Sequence, residues 1–479
     1  MRATRPVHGV GSRLALAALS VAATAALVPP AEARANRGID TGITVPEAQS
    51  PDPSVRDLWL DRTVETNADM VRLDVVWREV VGFQRPVDPA DPTDPAYDFS
   101  RLDAAVRGAQ QRGLTVLLTV YSAPAWAEGP NRPDGATPGT WRPDPGEYGS
   151  FGRALAKRYS GTFSPGAGLP PLPRVRYFET WNEPNLEGFL APQWVGDRLE
   201  GPAVYRTLLN SFYDAIKGVT ASNTVVSGGT GPFGDLAGGG RTRPLAFLRE
   251  LFCLEGEKKL EPQPCPKVQM DVLAHHPISG PNPATYNAIN SDDAATSDID
   301  RLERVLRAAE KAGVVRPGGK RPIWATEFWW ISKPPKPSSG LAEALAVSTR
   351  QQARYIEQAL YVLWKQRVRV ALQYLIRDPG GSDLYQTGLF SSDGKQKLAL
   401  KAFRFPFVTD RRSRKRVLAW GRSPRAGKVK VQANKRGKWR TAKRIRVRKD
   451  EVFTARLRGS KKMRAQIGGQ KSLVWKGRR

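Results

Sequence analysis

The sequence predicts an α/β protein, a (β/α)8 TIM barrel followed by a small all-β, sandwich-like C-terminal domain. Between Arg37 and Phe407, short β-branched runs alternate with longer stretches of helical period, as in a parallel sheet covered by helices. The alternation occurs eight times, the count that closes a barrel. Beyond Phe407 the helical period stops and apolar residues alternate with polar ones over several short runs.

At the start of the chain, Arg2, Arg5 and Arg13 precede the small and apolar run Leu14 to Val28, and Ala31-Glu32-Ala33 follows. Basic, apolar and small-residue segments in that order read as a secretory signal peptide over 1–35, cut after Ala33 or, as second choice, Ala35. The apolar run is shorter than the ~20 residues that a bilayer-spanning helix needs. The expectation is therefore a secreted or cell-wall-associated protein with no transmembrane helix in the mature chain.

The expected barrel region covers 36–408. Its strands are Gly38 to Ile43, Met70 to Val76, Thr115 to Tyr121, Arg174 to Trp181, Thr224 to Gly228, Met270 to His275, Pro322 to Glu327 and Arg369 to Ile376. Helical stretches follow each. Phe151, Leu155 and Tyr159 are spaced four apart, and Arg301 to Ala312 sets Leu302, Val305, Leu306 and Ala309 on one face before Gly313 stops it. An open doubly wound sheet shares this alternation, but no glycine-rich phosphate loop follows the first strand. Gly238-Gly239-Gly240 lacks the Lys-Ser/Thr of a phosphate loop and reads as a flexible connection.

The chain has two cysteines and three histidines, too few for a zinc ribbon or an iron–sulfur cluster. No metal and no cofactor is expected, and hydrolytic chemistry falls to carboxylates. Cys253 and Cys265 flank a short polar segment, and in an exported chain two cysteines this close are expected to pair.

Two carboxylates stand at strand ends. The fourth strand runs into Thr180-Trp181-Asn182-Glu183-Pro184-Asn185, where the proline cannot continue a ladder, so Glu183 lies at the C-terminal rim. The seventh ends in Thr326-Glu327-Phe328-Trp329-Trp330, which puts Glu327 on the same rim. A protonated and an ionised carboxyl facing each other among indoles are what glycosidic cleavage requires. The alternative for either glutamate alone is a salt bridge to a loop arginine.

Trp181-Asn182-Glu183-Pro184 resembles the W-N-E-P motif of glycoside hydrolase clan A, and the segment around Glu327 resembles that clan's strand-seven motif. The likeness spans Arg37 to Phe407, with families 5 and 39 nearest in pattern. It implies a retaining glycosidase in which Glu183 is the acid/base, Glu327 the nucleophile, Asn182 the contact to the sugar 2-hydroxyl and Arg72 the cation that holds the nucleophile ionised. Ala274-His275-His276-Pro277 is similar to the family's strand-six ending. Adjacent strand residues face opposite ways, so one of the two histidines points inward, His276 by the motif. Ile278 departs from the family by standing where a tyrosine is usual, and the eighth strand lacks the usual tryptophan; Tyr374 is the substitute hydroxyl. Trp77, Trp126 and Trp329, with Trp141 and Trp330, are sugar platforms or packing residues. The long loop Ala125 to Pro145 is the expected substrate wall.

The net charge is +29, and from Arg411 onward 27 Lys and Arg face two acidic residues. The region 409–479 is therefore a basic β-rich accessory domain, with Val429, Val431 and Ala433, then Phe453, Ala455 and Leu457, then Met463, Ala465 and Ile467 facing inward. Its expected partner is an anionic cell-wall polymer. Nucleic acid is not, since no aromatic-interleaved motif accompanies the charge. A solvated surface is the plain alternative. The function that follows is a secreted retaining glycoside hydrolase acting on a carbohydrate substrate. A transglycosidase using the same residues and a non-catalytic polysaccharide-binding barrel are its rivals.

Overall fold

The computed structural model describes residues 38–333, 340–380 and 385–477. The expected signal peptide lies outside them. Eight strands run β1 Asp40–Thr44, β2 Met70–Val76, β3 Thr115–Tyr121, β4 Tyr177–Thr180, β5 Thr224–Ser227, β6 Leu273–His275, β7 Ile323–Phe328 and β8 Val370–Gln373. All pair in parallel, in the order β6-β7-β8-β1-β2-β3-β4-β5. Parallel bridges Val226–Val272 and Thr230–His275 join β5 to β6 and close the barrel. Each expected strand is found, several of them shorter. Strand β4, for instance, stops before Trp181, whose φ of 70° leaves the extended region.

One principal helix follows each strand: α1 Pro53–Glu65, α2 Ser100–Gln111, α3 Pro145–Arg158, α4 Gly201–Val219, α5 Pro244–Leu251, α6 Ile299–Lys311, α7 Thr349–Lys365 and α8 Leu398–Arg404. Local chemistry starts them. Asp52 and Asp144 cap α1 and α3 ahead of a proline, and Ser348 with Gln351 forms a capping box on α7. None of the helices among the described residues is long and apolar enough to cross a membrane.

The barrel interior is layered. Residues two apart on a strand share a side. Met70, Leu117, Val226, Val272, Ala274, Trp324, Val370 and Leu372 form a buried apolar plug, with Tyr177 against it. Two residues further along β2, β3 and β4 come Arg72, Thr119 and Glu179, all buried and hydrogen-bonded together. The apolar floor thus carries a polar layer directly beneath the rim.

Strand β7 contains a bulge, since Ala325 pairs with Ala371 but Phe328 with Gln373. Strict alternation from the inward Trp324 would send Glu327 outward. The extra residue restores it to the inside.

Cys253 and Cys265 form the expected disulfide. The C-terminal β structure begins at Phe407. Its strands β9 Phe407–Arg411, β10 Arg416–Arg422 and β13 Val452–Arg458 make one antiparallel sheet, and β11 Gly427–Lys435, β12 Lys438–Val447 and β14 Lys462–Ile467 a second. The residues expected to face inward are buried except Leu457, which is half-buried. Strands β9 and β10 carry no clear alternating signal.

This region shares the barrel's hydrophobic core. Trp420 packs on Tyr361 and Trp364 of α7 at 5.6 and 5.9 Å. Arg354 of α7 lies 3.9 Å from the Trp475 ring. Arg422 is ion-paired to Asp69 and donates to the Asn67 carbonyl at 2.9 Å.

Candidate active site

Glu183 and Glu327 meet at one imidazole. His276 Nδ1 lies 2.9 Å from Glu183 Oε1 and 3.9 Å from Glu327 Oε2. The backbone past β4 is turned sharply to achieve this, with Trp181 at φ 70° and Glu183 at φ 39°. Left-handed backbone at non-glycine residues costs energy and collects at functional sites. Glu183 N donates to the Gly229 carbonyl at 3.1 Å and His276 N to the Thr230 carbonyl at 2.9 Å, so the end of β5 stitches the two rims together. Only glycine fits at 229, because a Cβ there would sit 2.2 Å from His276 Nε2.

Arg72 holds the floor of the site. It is 1% exposed, and it donates from Nη1 to Glu327 Oε1 at 2.5 Å, from Nη2 to Asn182 Oδ1 at 2.8 Å and from Nε to Thr119 Oγ1 at 2.8 Å. Glu179 lies 3.3 Å from Nε and Asp74 3.5 Å from Nη2. Burial opposes the guanidinium charge, yet Asp74, Glu327 and Glu179 hold it firmly protonated. Because Asn182 accepts from Arg72 at Oδ1, its Nδ2 donor is turned to other partners.

Burial pushes the Glu327 carboxyl above its ordinary value, against the downward pull of His276 and Arg72. Burial likewise pulls His276 down, but Glu327 and Glu183 carry it above its ordinary value. His275 points away, bonded to Ala294 and Thr230, and burial holds it down to about 3.

The aromatic expectations divide. Trp77 is fully buried, stacked on Phe151 at 5.4 Å, and has no face for a ligand. This corrects its assignment to the sugar site: it begins the short helix Trp77–Val81 and turns into the core. Trp126 is half-buried edge-on to Trp77 at 5.6 Å, and among the described residues no contact links it to the carboxylates. Trp181 and Trp330 are also buried, their indole N–H groups donating to the Phe189 and Asn282 carbonyls. Trp329 is half-buried and packs on Tyr385, which packs on Tyr374 at 5.7 Å.

Burial raises the Tyr374 and Tyr385 hydroxyls, and the charge of Glu327 raises both further, so this aromatic trio borders the pair. Among the described residues no hydrogen bond joins Tyr374 to Glu327. Asp74, Thr119, Glu179 and Tyr385 were missed from sequence. For Glu179 a signal existed, since a glutamate inside a buried strand needs a partner. Tyr385 lies in a loop that periodicity cannot place. The loop after β3 is ordered by Glu128 Oε1, which accepts from Gly139 N at 2.8 Å and Trp141 N at 3.0 Å.

No protein-family model matches the sequence, and no curated protein does. Solved structures do match in fold. A family 39 glycoside hydrolase from Bacteroides cellulosilyticus WH2 is similar at 16% identity and TM-score 0.55, over 88% of this chain and 81% of that one. A GH39 enzyme from Xanthomonas axonopodis pv. citri has 16% identity and TM-score 0.49, over 89% of this chain and 92% of that one. The chain shares the fold of the Bacteroides enzyme, a (β/α)8 barrel, here followed by β structure.

Proposed function

We propose that the chain is a secreted glycoside hydrolase that cleaves O-glycosidic bonds of a poly- or oligosaccharide with retention. The observation that supports it most is the meeting of two rim carboxylates at one imidazole, 2.9 and 3.9 Å away. In this reading Arg72 and His276 divide the oxygens of the pair. Glu327 Oε1 is held by Arg72, which leaves Oε2 to attack the anomeric carbon. Glu183 Oε1 faces His276, which leaves Oε2 to deliver a proton to the departing oxygen. Glu183, now ionised, takes a proton from water, and the hydroxide so formed displaces Glu327 from the sugar. Asn182 Nδ2 donates to the sugar 2-hydroxyl.

Export by the leader and retention at an anionic cell-wall polymer by the basic region complete the reading, supported by the concentration of charge after Arg411. NMR of the first product released from an aryl glycoside tests the mechanism. Retention of anomeric configuration is expected, and inversion overturns it.

A further inference from the structure

Four cations of the C-terminal region line one cavity. Lys415, Arg416, Arg456, Leu457 and Arg458 line a space of about 430 Å³ beside β10 and β13. Arg416 stands directly opposite Arg458 in the antiparallel register. Side chains so placed are ~5 Å apart on one face, and like charges there destabilise the sheet. Among the described residues none of these four cations forms an ion pair. The same strand neutralises its arginine elsewhere, since Arg422 pairs with Asp69 and Asp450. Of the region's remaining acids, Glu451 accepts from Arg448 N at 2.8 Å and Asp410 is ion-paired to Arg412 at 3.1 Å. The cavity thus keeps a concentrated positive charge that the fold could have cancelled and does not.

We propose that this cavity binds the phosphate groups of a phosphodiester-linked polyol or glycan polymer. The proposal deepens the anchoring reading and rests on it, but it does not depend on the glycosidase reading. Guanidinium groups from two strands and an ammonium from the adjoining turn line the one space. That suits the oxygens of a tetrahedral phosphate better than a planar carboxylate, which one fork in its plane can satisfy. The one lining residue without charge is Leu457, so the cavity offers no aromatic face for nucleobases to stack on.

The test measures binding of the full chain to synthetic poly(glycerol phosphate), to polygalacturonate and to single-stranded DNA of matched length, at low and high salt. Poly(glycerol phosphate) is expected to bind most tightly. Arg416→Ala/Arg458→Ala is expected to weaken it roughly tenfold and to lessen its salt dependence. Lys428→Ala/Arg446→Ala, an opposed basic pair on the other sheet, is the control of equal charge and should change binding little. Thermal melts verify that both variants fold.

Equal loss in both variants would show that diffuse charge is responsible and overturn the site. Equal or tighter binding of polygalacturonate or DNA overturns the ligand class. If the unaltered chain binds none of the three, the anchoring reading fails and the site with it. Selective phosphate-polymer binding in a preparation that cleaves no glycoside upholds the site while the glycosidase reading fails.

Discussion

Arg72 donates to Glu327 across 2.5 Å at the base of the barrel mouth, and the same guanidinium reaches Asn182, Thr119 and Glu179. Arg72→Ala would leave the buried Glu179 and the half-buried Asp74 without the guanidinium between them. The expected cost is ~3–5 kcal/mol of stability, with a large loss of turnover. Arg72→Lys keeps the charge but not the fork, and should fall between. Urea unfolding and kcat on an aryl glycoside check both. A lysine variant equal to the parent in both would show that the shared network is dispensable.

Glu327→Ala should abolish cleavage of an aryl glycoside, with partial return on adding azide, which fits the vacated space and attacks in its place. Glu183→Ala should spare substrates whose leaving group needs no proton and lose the rest. Steady-state rates on activated and unactivated glycosides separate the two roles. Undiminished turnover by the Glu327 variant sinks the assignment.

Glu357 of α7 is fully buried against Arg354, and burial pushes its carboxyl from 4.5 up to about 8. The folded chain therefore favours the protonated form. That contribution is complete below about 4.5 and is lost as the pH rises toward 8. Tm should fall across this window, and Glu357→Gln, which cannot ionise, should flatten the fall. A Tm profile of the same slope in the glutamine variant would assign the loss elsewhere.

Trp77 and Trp329 should respond in opposite ways. Trp77→Ala removes a core ring and should cost ~3–5 kcal/mol. Trp329→Ala should raise KM with little change in Tm, because its half-buried ring packs beside Tyr385 near the pair. Paired melting and kinetic measurements on both variants decide it.

Trp420 between Tyr361 and Trp364 ties the β region to α7. Heating should therefore give one calorimetric transition, and a chain ending at Pro406 should expose α7 and aggregate. Two separated transitions would show an independent module.

The eight strands were legible because β-branched runs and helical stretches have different periods, and both catalytic candidates were legible because each closes a strand beside a tryptophan or proline. The failures have a physical pattern. Trp77 and Trp330 looked the same as Trp329 in sequence, since a strand-end indole can turn either toward the mouth or into the core. Glu179 was overlooked because attention to rim positions ignores the layer beneath. Tyr385 comes from a loop, whose path depends on tertiary contacts. The balance at Glu327 depends on how burial weighs against two nearby cations, which only the folded arrangement sets.

The bulge in β7 makes the site depend on counting as well as on chemistry. Deleting Thr326 together with the bulge would leave Glu327 two residues from Trp324 and still inward, but straightening the strand with every residue kept would rotate the carboxylate toward the helices. A chain with all the right side chains would then have no mouth carboxylate on that side. For anyone grafting or shortening this strand, parity is the quantity to conserve.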